Sequence, residues 1–141
     1  LKSTCFFHDN GRFISRPLPL TVQATPINAI LCDDFNGDQY VDILMAGNSN
    51  APNISTGRLD AGKGFLMLGD GKGNFETMEA AQSGFWLEGV AKSLATLTLV
   101  SGAKGTLAGI NNGPLRIFEL NGSLLTSRIL SQKPAHSQST N

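Results

Sequence analysis

Residues 27–47 read INAILCDDFNGDQYVDILMAG, two apolar runs on either side of a loop rich in acidic and small residues. The runs Ile27–Asp33 and Val41–Gly47 are short and are bounded by Asp, Asn, Gly or Pro, which is typical of β-strands. Most of their apolar residues are consecutive and do not alternate with polar ones, which predicts a sheet covered on both faces. Four further strands of this kind are expected at Gly64–Gly69, Ala95–Val100, Thr106–Ile110 and Leu115–Leu120.

Turn signals separate these runs. Asp9–Phe13 and Asp70–Phe75 place Asp, Asn and Gly between apolar segments, and Asn121-Gly122 is a third candidate turn. Glycine supplies the positive φ of a tight turn and Asx side chains bond to their own backbone, so we predict hairpins. The segment Gly69–Gly73 (GDGKG) lacks the spacing and the following helix of a phosphate-binding loop. The helix-favouring stretch Glu76–Gln82 is short, and we expect it to form a single turn in a loop.

The pieces repeat along the chain. Phe13 and Phe75, which each follow a Gly-rich turn, lie 62 residues apart (75 − 13 = 62), and so do Ala46 and Ala108 (108 − 46 = 62). A unit of about 60 residues with four short strands is typical of a propeller blade. The 141 residues supply about two and a quarter such units, whereas propellers contain about four to eight blades. We predict an all-β fold of propeller-blade-like antiparallel sheets, about two blades, as an incomplete propeller, a sandwich-like fragment or a chain that pairs with its own copies.

The loop between the first two apolar runs contains the candidate metal-binding residues. Oxygen-bearing side chains stand at its positions 1, 3, 5 and 9, and the backbone carbonyl of Tyr40 is at position 7; the side-chain donors are Asp34, Asn36, Asp38 and Asp42. Ca²⁺ takes about six to eight oxygen ligands of this mixed kind. Position 12 is Met45 and the flanks are strand-like, which excludes an EF-hand. We interpret the loop as a calcium site; the alternative is an Asx-rich turn held by its own side-chain-to-backbone bonds, with water in place of the metal.

These residues resemble a known repeat. Residues 27–75, from INAILCDDFNGDQYVDILMAGN to GFLMLGDGKGNF, are similar to an FG-GAP or VCBS-type repeat, the blade of integrin-α-like β-propellers. The resemblance implies that the acidic loop binds calcium between the first two strands of the blade, through Asp34, Asn36, Asp38, the Tyr40 carbonyl and Asp42. It also implies a division into closing strands of a preceding blade and a linker (1–26), a blade with the acidic loop (27–85) and a second, degenerate blade (86–130). Residues 131–141 lack an apolar anchor, and we expect a disordered tail.

Two departures from the family pattern concern the calcium site. The family has Gly at loop position 6, where the backbone turns left-handed, whereas this chain has Gln39. A non-Gly residue in that conformation costs about 1 kcal/mol, so we expect a weakened affinity. The corresponding segment of the second unit, residues 99–109 (LVSGAKGTLAG), has no carboxylate. One calcium site at most is therefore expected.

Net charge, the length of the apolar runs and the histidine content argue against several classes of function. The formal net charge is zero, which argues against nucleic-acid binding, and no apolar run approaches the ~18 residues of a membrane span, which argues against membrane insertion. His8 and His136 are the only imidazoles and no nucleophile–base set is visible, so we do not expect an enzyme. We predict a secreted or cell-envelope, non-catalytic, calcium-stabilised binding or adhesion module with a protein or carbohydrate ligand. The alternatives are an accessory carbohydrate-associated part of a larger enzyme, or a fragment that self-associates through open blade faces.

Two smaller features each have two interpretations. Cys5 and Cys32 form one disulfide if the protein is exported, or each is a small buried hydrophobe, which is the interpretation we favour. The segment Phe85-Trp86-Leu87 is an exposed aromatic platform for a ligand or a packing cluster between blades, and its apolar neighbours favour packing.

Overall fold

The structure is a computed structural model that describes residues 2–53, 57–59, 62–78, 80–121 and 124–129. Within these ranges the chain is built of antiparallel strands joined by short turns, with one 3₁₀ turn at Leu20–Ala24 and one helical turn, α1, at Ala80–Ser83. The predicted all-β fold of blade-like antiparallel sheets is confirmed. The strands are β1 (Thr4–Asp9), β2 (Arg12–Pro17), β3 (Ile27–Asp33), β4 (Asp42–Gly47), β5 (Ser49–Asn53), β6 (Gly57–Leu59), β7 (Phe65–Gly69), β8 (Phe75–Met78), β9 (Ala91–Thr98), β10 (Lys104–Ile110), β11 (Arg116–Asn121) and β12 (Leu124–Ile129).

The first four-stranded sheet has the order β3-β4-β7-β8, and the hairpin β5–β6 is inserted between its second and third strands. The predicted strand Ile27–Asp33 has the observed bounds, and the next two begin one residue later than predicted, at Asp42 and Phe65. The predicted turn at Asp70–Phe75 joins β7 to β8, with Gly71 and Gly73 at φ 69° and 82°. The segment expected to be one turn in a loop is divided, because Glu76–Met78 pairs with β7 and the helical turn follows only from Ala80.

The second four-stranded sheet is a meander of β9, β10, β11 and β12. Its first strand runs over Ala91–Thr98, so the predicted strand Ala95–Val100 was misplaced. The amide of Leu99 donates to the carbonyl of Ala103 and closes a turn, which leaves Val100 exposed at the tip. The polar start of β9 is strand because it pairs along the whole of β10, a contact that local hydropathy does not show.

The first sheet is covered on both faces, as its consecutive apolar residues predict. One face belongs to the inter-sheet core, to which both four-stranded sheets and the segments between strands contribute. The buried residues of this core are Phe35, Leu44, Ala46, Leu66, Phe85, Leu87, Ala91, Ala108 and Phe118. The other face forms the outer core, Val22, Ile43, Met45 and Met67, with Cys5, Leu18, Ile27, Phe65 and Phe75 packed against it. Every residue of β4 is buried, because its two faces lie in different cores.

A buried amide links three loops near the other end of β4. Asn48 has φ +83°, and its backbone amide donates to the carbonyl of Pro26 at 3.1 Å. Its side-chain Nδ2 donates to the carbonyls of Gly62 and Gly89, and its Oδ1 accepts from the Thr25 hydroxyl at 2.9 Å. A buried polar group is stable only when it is bonded, so this side chain fixes the relative positions of these loops.

The hairpin β1–β2 packs on the outer face of the first sheet. Its turn has Asn10 and Gly11 at φ 46° and 79°, as expected for the predicted hairpin at Asp9–Phe13. The ring of Phe7 stacks on Phe75 with centroids 6.2 Å apart. Among the described residues, no helix is long and apolar enough to cross a membrane.

Candidate functional site

The acidic loop connects two strands that are paired up to its ends. Asp33, the last residue of β3, lies opposite Asp42, the first residue of β4, so the intervening residues close a tight loop. Gly37 and Gln39 adopt left-handed backbone conformations, with φ +83° and +72°. The left-handed turn that the family pattern places at loop position 6 is therefore present here, on a glutamine.

Asp34 organises the loop around its carboxylate. Oδ1 accepts the backbone N–H groups of Gly37 at 2.6 Å and Asp38 at 3.2 Å, and Oδ2 accepts that of Gln39 at 2.8 Å. These bonds lower the pKa of Asp34 below its ordinary value of 3.8, the bond from Gln39 most strongly, because N–H donors favour the charged carboxylate. The loop is thus held as an Asx-type turn by its first acidic residue.

Asn36 and Asp38 bond to each other next to this carboxylate. The backbone N–H of Asp38 donates to Oδ1 of Asn36 at 3.0 Å, and Nδ2 of Asn36 donates to Oδ2 of Asp38 at 2.8 Å. Oδ1 of Asp38 accepts the backbone N–H of Tyr40 at 2.8 Å. The structure thus brings together three of the predicted ligands, Asp34, Asn36 and Asp38, on one exposed loop.

Asp42 is placed differently from these three. Its side chain is 0% exposed, and its two oxygens each accept a backbone N–H at 2.9 Å, Oδ2 from Phe35 and Oδ1 from Gly69. It therefore links the start of the acidic loop to the end of β7. Spacing along the sequence gives no sign of this role, since Gly69 is 27 residues away.

The acidic loop also contacts the turn between β7 and β8. The ring of Tyr40 covers Gly71 so closely that a Cβ atom on that glycine would lie 2.4 Å from two ring carbons. Within this turn, Asp70 accepts the N–H groups of Lys72 and Asn74 and the Asn74 side-chain amide at 2.6 Å. These bonds, the last most strongly, lower the pKa of Asp70 from 3.8 to about 2.

An arginine attaches the hairpin β1–β2 to the same turn. Nη1 of Arg16 donates to the carbonyls of Lys72 at 3.3 Å and Gly73 at 3.0 Å, and to Oδ1 of Asn74 at 2.9 Å. The guanidinium also lies over the ring of Phe7, 5.4 Å from its centroid. Because Arg16 is more than 50 residues from these partners, sequence reasoning did not identify it as part of this end of the molecule.

The oxygens of the loop retain acceptor capacity for a cation. Each carboxylate offers about four lone-pair sites, and Asp34 uses three while Asp38 uses two for the bonds described. These oxygens, with the Asn36 amide, are of the hard type that Ca²⁺ takes. However, no group of three or more His, Cys, Asp or Glu side chains suited to hold a metal is found in the part of the chain that the structure describes. A cation here would rely on few carboxylates and on oxygens of other kinds.

The remaining candidate features are the Phe85–Leu87 segment and the two histidines. Phe85 and Leu87 lie in the inter-sheet core, as the packing interpretation predicts, with the ring of Phe85 4.7 Å from that of Phe118. Trp86 is about half exposed and lies under the ammonium of Lys63. His8 packs against the ring of Phe13. His136 lies outside the described residues, as does the predicted tail 131–141.

The cysteines correct one expectation. Both are free thiols, and Cys5 packs against the outer core, whereas Cys32 is exposed and is not the small buried hydrophobe that we favoured. It lies on the edge strand β3, whose residues alternate between partly buried and exposed, and Cys32 is one of the exposed ones.

The chain matches no protein-family model, no curated protein and no solved structure. The similarity to FG-GAP and VCBS-type repeats therefore rests on the residues quoted above, and membership of that family stays a prediction.

Proposed function

We propose that this chain is a non-catalytic binding module, secreted or located in the cell envelope, whose acidic loop is stabilised by one Ca²⁺ ion. One observation supports the proposal above the others: Asp34, Asn36 and Asp38 are bonded together on an exposed loop and keep free acceptor sites on their oxygens. The weak affinity expected from a strained loop suits the millimolar calcium of extracellular surroundings.

The ion would act as a structural support. Asp34 and Asp38 carry two carboxylates on one short loop, where the backbone N–H of Asp38 donates to Asp34, and a dication bound to both would offset their like charge. The ring of Tyr40 covers Gly71 in the β7–β8 turn, and Asp42 accepts the backbone N–H of Gly69 at the end of β7. An ion that stabilises the acidic loop would therefore also stabilise this turn. These two exposed loops form the surface that we propose for a protein or carbohydrate ligand.

Thermal unfolding in calcium and in chelator tests the proposal. We expect millimolar Ca²⁺ to raise the Tm of the wild type, since an ion that binds only the folded state stabilises it by RT ln(1 + [L]/Kd), about 2.7 kcal/mol at a hundredfold excess over Kd. The variant Asp38→Ala should lose the rise. Asp9→Ala is the matched control, because Asp9 is also an exposed aspartate next to a turn, where it accepts from the Asn10 side-chain amide, but it lies in the β1–β2 hairpin.

The proposed calcium site would be refuted if the wild type had the same Tm in calcium and in chelator. A rise that persists in Asp38→Ala but disappears in Asp9→Ala would place the cation at another part of the molecule. Titration calorimetry with CaCl₂ gives the stoichiometry, which we expect to be one ion per chain.

Self-association is a second candidate function, and one surface favours it. Phe6 and Phe13 are 68% and 75% exposed, and the strand register places both on the side of the β1–β2 hairpin opposite to Phe7. Exposed aromatic residues that lie together are typical of interaction sites. Light scattering over a range of protein concentrations tests this function, and Phe13→Ser should shift any oligomer toward the monomer.

A further inference from the structure

The two four-stranded sheets are built from equivalent strands. Near the start of β3 its register with β4 shifts by one residue, and near the start of β9 its register with β10 shifts in the same way. Asn48, directly after β4, donates its backbone N–H to the carbonyl of Pro26, directly before β3. Asn111, directly after β10, donates in the same way to the carbonyl of Val90, directly before β9. The two asparagines are 63 residues apart (111 − 48 = 63), so β9 and β10 repeat β3 and β4.

The repeat relates one face of the first sheet to one face of the second. Leu44 on β4 corresponds to Leu107 on β10 (107 − 44 = 63), and each is paired with a residue of the strand on either side. The resulting rows are Leu31, Leu44 and Leu66 in the first sheet and Ala95, Leu107 and Ile117 in the second. Because residues paired across antiparallel strands point to the same face, each row lies on one face of its sheet. The first row belongs to the inter-sheet core, where the second sheet covers it.

The corresponding row of the second sheet, which we call the open face (Ala95, Leu107 and Ile117), lies outside both cores. Ala108 and Phe118, which follow Leu107 and Ile117 and point to the other side of the sheet, are fully buried in the inter-sheet core. Neither Leu107 nor Ile117 packs against either core, and Ala95 is exposed. Within the described residues, the open face therefore lacks the layer that covers its counterpart in the first sheet.

The opposite end of the molecule also lacks a layer. The chain forms a stack of the β1–β2 hairpin, the first sheet and the second sheet, held together by the two cores. Met45, on the outer-core face of the first sheet, corresponds to Ala108 (108 − 45 = 63), so the hairpin covers the first sheet on the same face on which the first sheet covers the second. The stack therefore repeats in one direction. Its hairpin end presents Phe6 and Phe13, which are 68% and 75% exposed, and its other end presents the open face.

We propose that a second copy of this chain covers the open face, with the Phe6 and Phe13 side of its hairpin packed on Ala95, Leu107 and Ile117. The proposal rests on self-association, the second candidate function, and names the surface that receives the hairpin. The contact joins two different surfaces and is therefore heterologous. Copies add head to tail, and the assembly either closes into a ring or extends.

A second copy suits this position because it supplies the layer that each end of the stack lacks. Its hairpin gives the open face a β-layer of the kind that already covers the first sheet, and the open face in turn covers the exposed aromatic rings. Removal of these apolar side chains from water favours the contact. The formal net charge of zero adds little repulsion between copies.

Two substitutions, one at each end of the stack, test the contact. Phe13→Ser changes the hairpin and leaves the open face intact, whereas Ala95→Lys does the reverse. Both positions are exposed, so neither change removes a buried contact within the chain. In sedimentation velocity we expect the wild type to associate as its concentration rises, and each variant to have a dissociation constant raised about tenfold or more. Val100→Lys is the matched control, because Val100 is fully exposed at the tip of the β9–β10 turn, and this variant should associate like the wild type.

A mixture of the two variants tests the direction of the contact. Ala95→Lys keeps its hairpin and Phe13→Ser keeps its open face, so an equimolar mixture should form a dimer with one copy of each at concentrations where each variant alone is monomeric. All samples contain chelator and a thiol reductant, so neither calcium nor a cysteine cross-link contributes. Far-UV circular dichroism verifies that each variant is folded.

Three outcomes count against the proposal, and they separate it from self-association in general. If Ala95→Lys associates as strongly as the wild type, the open face is not used and self-association occurs through another surface. A mixture no more associated than either variant alone would also overturn the proposal, because a heterologous contact between the two intact surfaces is then missing. Wild-type protein that stays monomeric at every concentration would refute both this proposal and self-association itself.

Discussion

Replacing the buried Asp42 with asparagine tests whether this residue is a structural acceptor or a cation ligand. The substitution keeps the shape of the side chain but turns one oxygen into an NH₂ group, which then faces the backbone N–H of either Phe35 or Gly69. One bond to a carboxylate is lost, worth about 1.5–3 kcal/mol, and a buried N–H is left unpaired, at about 1–3 kcal/mol. Because relaxation recovers part of this sum, we expect a loss of about 3 kcal/mol in the free energy of unfolding.

Urea unfolding measures this loss, with Trp86, the only tryptophan, as the fluorescent probe. The comparison is made in chelator, so that no bound cation contributes, and an unchanged m-value shows that the same surface unfolds in both proteins. Asp38→Asn is the control, since that side chain is exposed and its substitution should cost less than about 1 kcal/mol. Asp42→Asn within about 0.5 kcal/mol of the wild type would refute the bridging role, and a loss seen only in calcium would make Asp42 a ligand instead.

Two further predictions concern the turns at this end of the sheet. Gln39→Gly should stabilise the protein by about 0.5–1 kcal/mol in urea unfolding, because Gln39 has φ +72° and glycine removes that strain, whereas Val41→Gly, at a position without a positive φ, should destabilise it. Asp70 has a folded pKa of about 2 against an ordinary 3.8, so its contribution to stability is present above about pH 4 and is lost as the pH falls toward 2. Asp70→Asn should therefore lose less stability than the wild type between pH 4 and pH 2, and equal slopes would contradict the role of its bonds.

The agreement between sequence and structure is best for features within a few neighbouring residues. The strand Ile27–Asp33 and the turns at Asp9–Phe13 and Asp70–Phe75 follow from apolar runs bounded by Asx and Gly. The grouping of Asp34, Asn36 and Asp38 on one loop also follows from neighbouring residues, because each side chain accepts a backbone N–H at most five residues away. The hairpin β5–β6 was not predicted, since its residues SNAPN and GRL are not apolar.

The site required contacts that the sequence does not reveal. Equal spacing made Asp42 look like the other acidic residues of the loop, but Gly69 on β7 and the core around it bury Asp42 and occupy both of its oxygens. Arg16 belongs to this end of the molecule because its guanidinium donates to the carbonyls of Lys72 and Gly73, more than 50 residues away in the sequence. A side chain's bonding partners depend on which distant strands pack beside it, and these are set by the whole topology.

The order of apolar, Asx and glycine residues by itself determined that this chain forms short antiparallel strands, tight hairpins and a self-bonded acidic loop. Such features depend on backbone sterics and on hydrogen bonds within a few residues. Only the tertiary structure decided which elements cover the two faces of β4 and that Cys32 is exposed on an edge strand. Burial depends on what covers a residue, and here the cover comes from another sheet and from a hairpin that precedes it in the chain.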